Sequence, residues 1–155
     1  MSPVLRARFA DYAAFHATPG NQACHYVGIP LIVLSLFGLL ARVPLVHLGG
    51  FPVTLAEVLL VAVSLYYLTL DVPLALLMLA VSAGLVALGH LVPLPLAVGL
   101  FVFGWVLQFV GHYAYEKRSP AFFGNLLHLL VGPLWILAKA TGRARPESLE
   151  PRAVR

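Results

Sequence analysis

The middle of the chain reads VTLAEVLLVAVSLYYLTLDVPLALLMLAVSAGLVALGHL from Val53 to Leu91. Only the short segment Asp71-Val72-Pro73 interrupts this apolar sequence. Each half is close to the ~20 residues that a helix needs to cross the hydrocarbon of a bilayer. The stretch therefore predicts two membrane spans, residues 53–70 and 72–91, that form a tight antiparallel hairpin.

The composition of the whole chain agrees with a membrane protein. Of its 155 residues, 61% are hydrophobic and only 10% are charged, whereas soluble domains carry about 25% charged residues. The length leaves room for one helical bundle and for no separate soluble domain. We therefore expect a single membrane-embedded domain over residues 1–142, followed by a disordered basic tail over residues 143–155.

The remaining apolar segments complete an all-α bundle. Two further spans are predicted at residues 22–41 and 96–115, which gives about four transmembrane helices. The first sixteen residues have the spacing of a short amphipathic helix. Its apolar positions are Val4, Leu5, Phe9, Tyr12 and Ala13. Residues 42–52 are predicted to be a loop, and residues 121–138 are predicted to be a re-entrant or interfacial helix.

The distribution of positive charge predicts the orientation of the bundle. With four spans, the lysines and most of the arginines lie on one side of the membrane and only Arg42 lies on the other. Because basic loops prefer the cytoplasmic side, both termini are expected to be cytoplasmic. The net charge of +4 then reflects membrane orientation and does not indicate nucleic-acid binding. A single cysteine, Cys24, excludes an intramolecular disulfide.

Two clusters of polar residues reach the cytoplasmic face. His16 and His25 lie before and at the start of the first span, and His112 and Glu116 lie at the end of the fourth. Four crossings return the chain to the face from which it started, so the two clusters are expected to meet. His112 and Glu116 are four residues apart and therefore share one face of a helix.

These side chains have the chemistry of a metal site. Imidazole is the commonest ligand of transition metals, and nitrogen and oxygen donors together suit iron, copper or zinc. His16, His25 and His112 could supply three nitrogens. Glu116 could supply a carboxylate, either as a ligand or as an acceptor that fixes a histidine tautomer. Other polar residues expected at this face are Asn21, Asn125 and His128.

The same residues also allow simpler interpretations. Interfacial histidines can hydrogen-bond lipid headgroups or helix ends, and the chain would then be a non-catalytic membrane protein that binds headgroups or a partner. A haem-binding bundle with His25 and His112 as axial ligands is a third choice. A transporter is least favoured, because the spans are few and no charged residue is expected near the middle of one. His47 and His90 fall at the opposite face and are excluded from the site.

Two segments resemble the signatures of a membrane-protein family. The motif YxxxHxxxxNxxxHxxGIP from Tyr12 to Pro30 and the motif QFxGHxxxEKxxPA from Gln108 to Ala121 look like the signatures of the DUF962, or Mpo1-like, family. The segment LVGPLW, residues 130–135, fits the bacterial members. The matches lie towards both ends of the chain and in the family's order.

The resemblance implies a specific activity. The family's characterised member is an iron(II)-dependent dioxygenase that performs α-oxidation of 2-hydroxy fatty acids and shortens them by one carbon. By resemblance, the metal is Fe(2+) and the substrates are O2 and a 2-hydroxy fatty acid. The expected location is a bacterial inner membrane, with the site and both termini cytoplasmic by the distribution of charge. The implied metal ligands are His16, His25 and His112. Glu116 and Asn21 would support the ligands or contact the substrate, and His128, which departs from the family pattern, is a possible further ligand.

Overall fold

The computed structural model of the chain describes residues 1–144. Within this range, three helices begin where a serine, threonine or aspartate is followed closely by proline. Side-chain oxygens of Ser2, Thr18 and Asp71 each accept a hydrogen bond from the backbone N–H three residues later, at 3.2, 3.4 and 3.2 Å. Proline in the first turn loses no hydrogen bond, because that N–H has no partner within a helix.

The described part of the chain is mostly helical, as predicted, and also contains a small β-hairpin. The elements are α1 (Pro3–Ala14), α2 (Pro19–Leu40), β1 (Pro44–Leu48), β2 (Phe51–Thr54), α3 (Leu55–Leu68), α4 (Val72–Leu91), α5 (Leu94–Val110), a π-helical turn (Gly111–Glu116), a 3-10 turn (Ala121–Phe123) and α6 (Leu127–Ala140). Among the described residues, three helices are long and apolar enough to cross a membrane: residues 19–40, 72–91 and 94–116. These three helices coincide with three of the predicted spans, with ends shifted by a few residues.

The segment between α2 and α3 is a hairpin and not the predicted loop. Strands β1 and β2 pair antiparallel, with His47 opposite Pro52 and Leu48 opposite Phe51. Gly49 and Gly50 connect them with φ of +56° and +88°. A two-residue turn whose twist suits a hairpin needs positive φ at both positions, which glycine adopts without steric cost.

Helix α3 is shorter than the span predicted at residues 53–70. It has 14 residues and is about 21 Å long, compared with a hydrocarbon core of about 30 Å. Its start is determined by a capping box, in which the Thr54 side chain accepts from Ala56 N–H and the Glu57 carboxylate accepts from Thr54 N–H. The helix therefore begins at Leu55, and Val53 belongs to β2. This corrects the predicted span, which began at residue 53 and ended at residue 70.

The amphipathic helix predicted at the start of the chain is α1, and it packs on α6. Leu5, Phe9 and Tyr12 are buried at helical spacing, but Val4 is 54% exposed and does not belong to the buried face. The residues of α6 in the same core cluster are Val131, Leu134, Trp135 and Ala138. The pair α1–α6 lies at the end of the bundle where α2 begins and where α5 ends.

The C-terminal helix begins later than predicted. Residues 121–138 divide into the 3-10 turn and α6, which starts where the Asn125 side chain accepts from Leu127 N–H at 3.1 Å. Of the predicted tail at residues 143–155, Arg143 and Ala144 are described, and residues 145–155 lie outside the described chain. Arg143 contributes an ion pair to Asp71 at 3.5 Å.

Helices α2 and α5 approach so closely that we expect Gly104→Ala to destabilise the bundle. An added Cβ at Gly104 would lie 2.7 Å from Ile32 Cγ1 and 3.0 Å from the Gly28 carbonyl oxygen. Overpacking of this kind costs about 1–3 kcal/mol. The melting temperature of the detergent-solubilised protein should therefore fall. Gly99→Ala is the matched control on α5, because beyond its own stretch of helix no described atom lies within 4 Å of its added Cβ. Equal melting temperatures for the two variants would contradict the close packing.

Candidate metal centre

Three histidines from separate parts of the sequence meet at one end of the bundle. His16 lies in the turn between α1 and α2, His25 lies near the start of α2, and His112 lies in the π-helical turn after α5. Their side chains are 3%, 2% and 2% exposed, respectively. The ring centroids are 4.4 Å apart for His16 and His25, and 4.9 Å apart for each of the other two pairs. One nitrogen from each ring lies within 4.8 Å of the others.

Backbone carbonyls determine which nitrogens of His16 and His25 are free. His16 Nδ1 lies 2.6 Å from the carbonyl oxygen of Tyr12, and His25 Nδ1 lies 2.9 Å from that of Asn21. A carbonyl can only accept, so both Nδ1 atoms carry the hydrogen. In the neutral rings, the Nε2 atoms then present lone pairs, and they face each other at 3.1 Å. Two facing lone pairs repel each other, and a cation between them would remove this repulsion.

A metal ion suits this position better than a proton. Burial, followed by the neighbouring His25 imidazole, lowers the pKa of His16 to about 3, so its ring is neutral at physiological pH. Two nitrogens bound to one ion at about 2.0–2.1 Å each can lie 3.1 Å apart. The donor set and its spacing therefore fit a transition-metal ion.

The π-helical turn brings His112 to the pair. Such turns are rare and often occur at functional sites. The turn ends at Lys117, which has a φ of +58°, and both Lys117 N–H and Arg118 N–H donate to the His112 carbonyl. His112 Nδ1 is buried and has no hydrogen-bond partner among the described residues. A buried polar atom without a partner costs roughly 1–3 kcal/mol, so a ligand at the His112 ring would remove this cost.

A glycine allows the turn to approach α2. An added Cβ at Gly111 would lie 2.5 Å from Asn21 Oδ1 and 3.2 Å from His25 Nδ1. Only a residue without a side chain fits between these atoms. Gly111 therefore allows His112 to lie against the start of α2.

Glu116 contacts the start of α2 and not the histidines. Its carboxylate accepts from Ala17 N–H, Thr18 N–H, Thr18 Oγ1 and Asn21 Nδ2 at 3.1, 3.1, 2.8 and 3.0 Å. Asn21 Nδ2 also donates to the Phe15 carbonyl at 3.1 Å. A carboxylate at a helix N-terminus is stabilised by the helix dipole. The two residues predicted to support the site thus hold the turn that carries His16.

The other predicted polar residues do not join the group of three histidines, although His128 lines the same cavity. His128 is 8% exposed, and its Nε2 lies 2.9 Å from Asp11 Oδ2. Asn125 accepts from Leu127 N–H just before α6 and is exposed. His90 pairs with Glu57 at 2.8 Å, and His47 lies on the exposed hairpin. Both belong to the opposite end of the bundle, as the sequence predicted.

Two site residues were not assigned a role by the sequence. The Tyr12 ring stacks on His16 with centroids 3.9 Å apart and planes at 10°, and burial raises the pKa of its phenol. Gln108 is 5% exposed, and its Nε2 has no partner among the described residues. Each precedes a candidate ligand by four residues, and this helical spacing is the signal that points to them.

A cavity of about 530 Å³ opens from the histidines into the bundle. This volume lies within the roughly 300–1,000 Å³ typical of ligand sites. Its polar residues at the histidine end are Tyr12, His16, His25, Gln108, His112 and His128. Most of the remaining wall is apolar and comes from α2, α3, α4 and α6, with Ser64 and Ser82 as hydroxyl side chains. The cavity therefore joins a polar head region to an apolar channel.

Comparison with known proteins gives two matches. Residues 3–144 match the family described as "Mpo1-like: 2-hydroxy-palmitic acid dioxygenase Mpo1-like". The chain is similar to the "2-hydroxy-palmitic acid dioxygenase MPO1" of Saccharomyces cerevisiae, with 36% identity over 138 residues, which cover 86% of this chain and 77% of the yeast protein. No solved structure matches the chain significantly.

Proposed function

The chain belongs to the Mpo1-like family, and from this membership we propose that it is an Fe(II)-dependent dioxygenase of 2-hydroxy fatty acids. The proposed reaction is α-oxidation, which shortens the acid by one carbon. The observation that carries the proposal is the position of three buried histidines at the polar end of a long apolar cavity. A metal-binding region and an apolar channel match the two parts of a hydroxy fatty acid.

The proposed reaction balances as R–CH(OH)–COOH + O2 → R–COOH + CO2 + H2O. The bond between the first and second carbons breaks, and the first carbon leaves as CO2. The second carbon forms a new bond to oxygen and becomes the carboxyl carbon of the product. The acid loses four electrons and O2 accepts them, so the reaction requires no further reductant.

We assign His16, His25 and His112 as the metal ligands. Bound iron would supply open coordination positions for O2 and for the hydroxyl and carboxylate oxygens of the substrate. Three neutral imidazoles do not balance the charge of a divalent cation, so the site favours an anionic ligand. The carboxylate of the fatty acid provides that charge.

The other residues hold these ligands or the substrate in place. The carbonyls of Tyr12 and Asn21 orient two of the rings, as is common for metal-binding histidines. Glu116 is proposed as a positioning residue, because its accepted hydrogen bonds connect the π-helical turn to the start of α2. Gln108 has an amide available to donate to the substrate head group. His128, paired with Asp11, is left outside the proposed ligand set.

The geometry favours this site over a haem. A haem with His25 and His112 as axial ligands needs open space on all sides of the axis between them. The His16 ring centroid lies 4.4 Å from that of His25 and 4.9 Å from that of His112. The His16 ring thus occupies space that the porphyrin would need.

We propose that the bundle crosses a bacterial inner membrane four times, with α3 as a short crossing and with the site and both termini cytoplasmic. A short apolar helix can cross where the bilayer is locally thinned. Basic residues on or directly after the elements at the histidine end include Arg6, Arg8, Lys117, Arg118 and Lys139. Arg42 follows α2 at the other end. This distribution supports a cytoplasmic site.

Metal analysis coupled to oxygen uptake tests the proposed function. We expect the purified protein, loaded with Fe(II) in detergent, to retain iron and to consume O2 with 2-hydroxypalmitate. Mass spectrometry should detect the acid shortened by one carbon. Palmitate is the matched control, because it lacks the hydroxyl and should support no uptake. Iron-loaded protein that binds the hydroxy acid and consumes no O2 would instead indicate a non-catalytic lipid-binding protein.

A further inference from the structure

One face of α2 forms the long wall of the cavity. The lining positions on this helix are His25, Ile29, Pro30, Ile32, Val33, Leu36 and Phe37. They recur at every third or fourth residue as single positions or adjacent pairs, which keeps them on one broad side of the helix. At 1.5 Å per residue, the wall from His25 to Phe37 is about 18 Å long. The cavity therefore extends from the histidines over a distance comparable with a long acyl chain.

A core cluster closes the far end of this channel. Phe37 is 5% exposed and forms the cluster with Ala56 of α3 and Val86 of α4, which are 0% and 6% exposed. Some residues packed against the cluster also line the cavity: Val33, Leu59, Leu60 and Leu85. The Phe37 ring is therefore both part of this core and part of the cavity wall.

The backbone next to Phe37 holds this wall in place. An added Cβ at Gly89 of α4 would lie 2.8 Å from the Gly38 nitrogen, and one at Gly38 would lie 3.3 Å from the Gly89 carbonyl oxygen. Backbones in such close contact leave α2 and α4 little freedom to separate. A chain that reaches Phe37 consequently meets a wall that yields little, because close-packed interiors resist expansion.

We infer that Phe37 is a specificity-determining residue that limits the length of the acyl chain. The inference rests on the proposed function, which identifies the occupant of the channel as the substrate's acyl chain. With the carboxylate held at the histidines, each methylene is buried further along α2 until the terminal methyl group reaches Phe37. Longer chains overlap with the ring and lose affinity.

Two substitutions with opposite effects test this inference. Phe37→Ala lengthens the channel and should raise kcat/KM about tenfold for acids longer than the wild-type optimum, relative to the optimum acid. Ser82→Leu narrows the channel and should move the optimum to shorter acids. Ser82 lines the cavity on α4, and its position seven residues before Gly89 places it about 10 Å closer to the histidines. Leu88→Ala is the control, because Leu88 is 53% exposed and should leave the length profile unchanged.

Displacement of a bound fluorescent fatty acid from the Fe(II)-loaded protein, measured without oxygen, separates the possible failures. One outcome is that the dependence of affinity on chain length shifts in both variants while the wild type consumes no O2. That result would overturn the proposed function and leave the inference standing. Normal oxygen uptake with the same length profile in wild type, Phe37→Ala and Ser82→Leu would overturn the inference alone. If Phe37→Ala does not fold, the same chain-length measurements are made on Phe37→Leu and Ser82→Leu.

Discussion

His112→Ala should abolish iron binding and oxygen uptake while leaving the metal-free protein folded. The substitution removes one of the three ligand nitrogens. Loss of a residue that only hydrogen-bonds a ligand typically lowers metal affinity about 10–100-fold, and we expect a larger fall in iron affinity here. Because His112 Nδ1 has no partner among the described residues, its removal breaks no hydrogen bond through that atom. Metal content by mass spectrometry and oxygen uptake with 2-hydroxypalmitate provide the measurement.

The matched variants identify the ligand set. His16→Ala and His25→Ala should behave like His112→Ala. His47→Ala and His90→Ala should retain iron and oxygen uptake, because both residues lie at the opposite end of the bundle. Iron retained at wild-type affinity in any of the first three variants would remove that histidine from the set. Loss of iron in the His47 or His90 variant would show that metal content follows general stability and not ligation.

Glu116→Ala should weaken iron binding by roughly 10–100-fold and should also lower the melting temperature of the metal-free protein. The carboxylate accepts four hydrogen bonds from Ala17, Thr18 and Asn21, and these connect the π-helical turn to the segment that carries His16. A hydrogen bond to a charged group contributes about 1.5–3 kcal/mol, and less where solvent reaches the carboxylate, as it does here. Glu116→Gln keeps an acceptor oxygen and should retain part of both properties.

Glu57→Gln is the control for Glu116. Glu57 caps α3 by accepting from Thr54 at the other end of the bundle, so this variant should lose stability but keep its iron affinity. If Glu116 were a ligand, its alanine and glutamine variants would both lose iron, and the melting temperature of the metal-free protein would stay unchanged. Calorimetry of metal-free samples, together with iron titration, distinguishes the two roles.

Hydropathy and helical period were sufficient to predict most of the bundle. Three predicted spans appear as α2, α4 and α5 with its π-helical turn, because a run of about 20 apolar residues has few alternatives to a helix in a bilayer. The hairpin around Gly49 and Gly50 was missed. Its strands are short, and its apolar residues continue into those of α3. The hydropathy pattern therefore does not separate the hairpin from the helix. The glycine pair was the local signal.

The sequence by itself determined that His16, His25 and His112 reach the same end of the bundle. That result needs only the lengths of the apolar runs and the number of crossings between them. The length of each helix and the position of each residue along it are local properties, which the chain specifies through its caps and apolar runs.

Only the tertiary structure decided what each polar side chain contacts. Glu116 lies four residues from His112, and its helical spacing is as compatible with a ligand as with a cap. Its carboxylate accepts from the turn before α2, which is distant in sequence. The lone pairs of His16 and His25 face each other because two backbone carbonyls hold the opposite nitrogens. Hydrogen bonds depend on directions and distances between separate segments, and these exist only after the segments have packed.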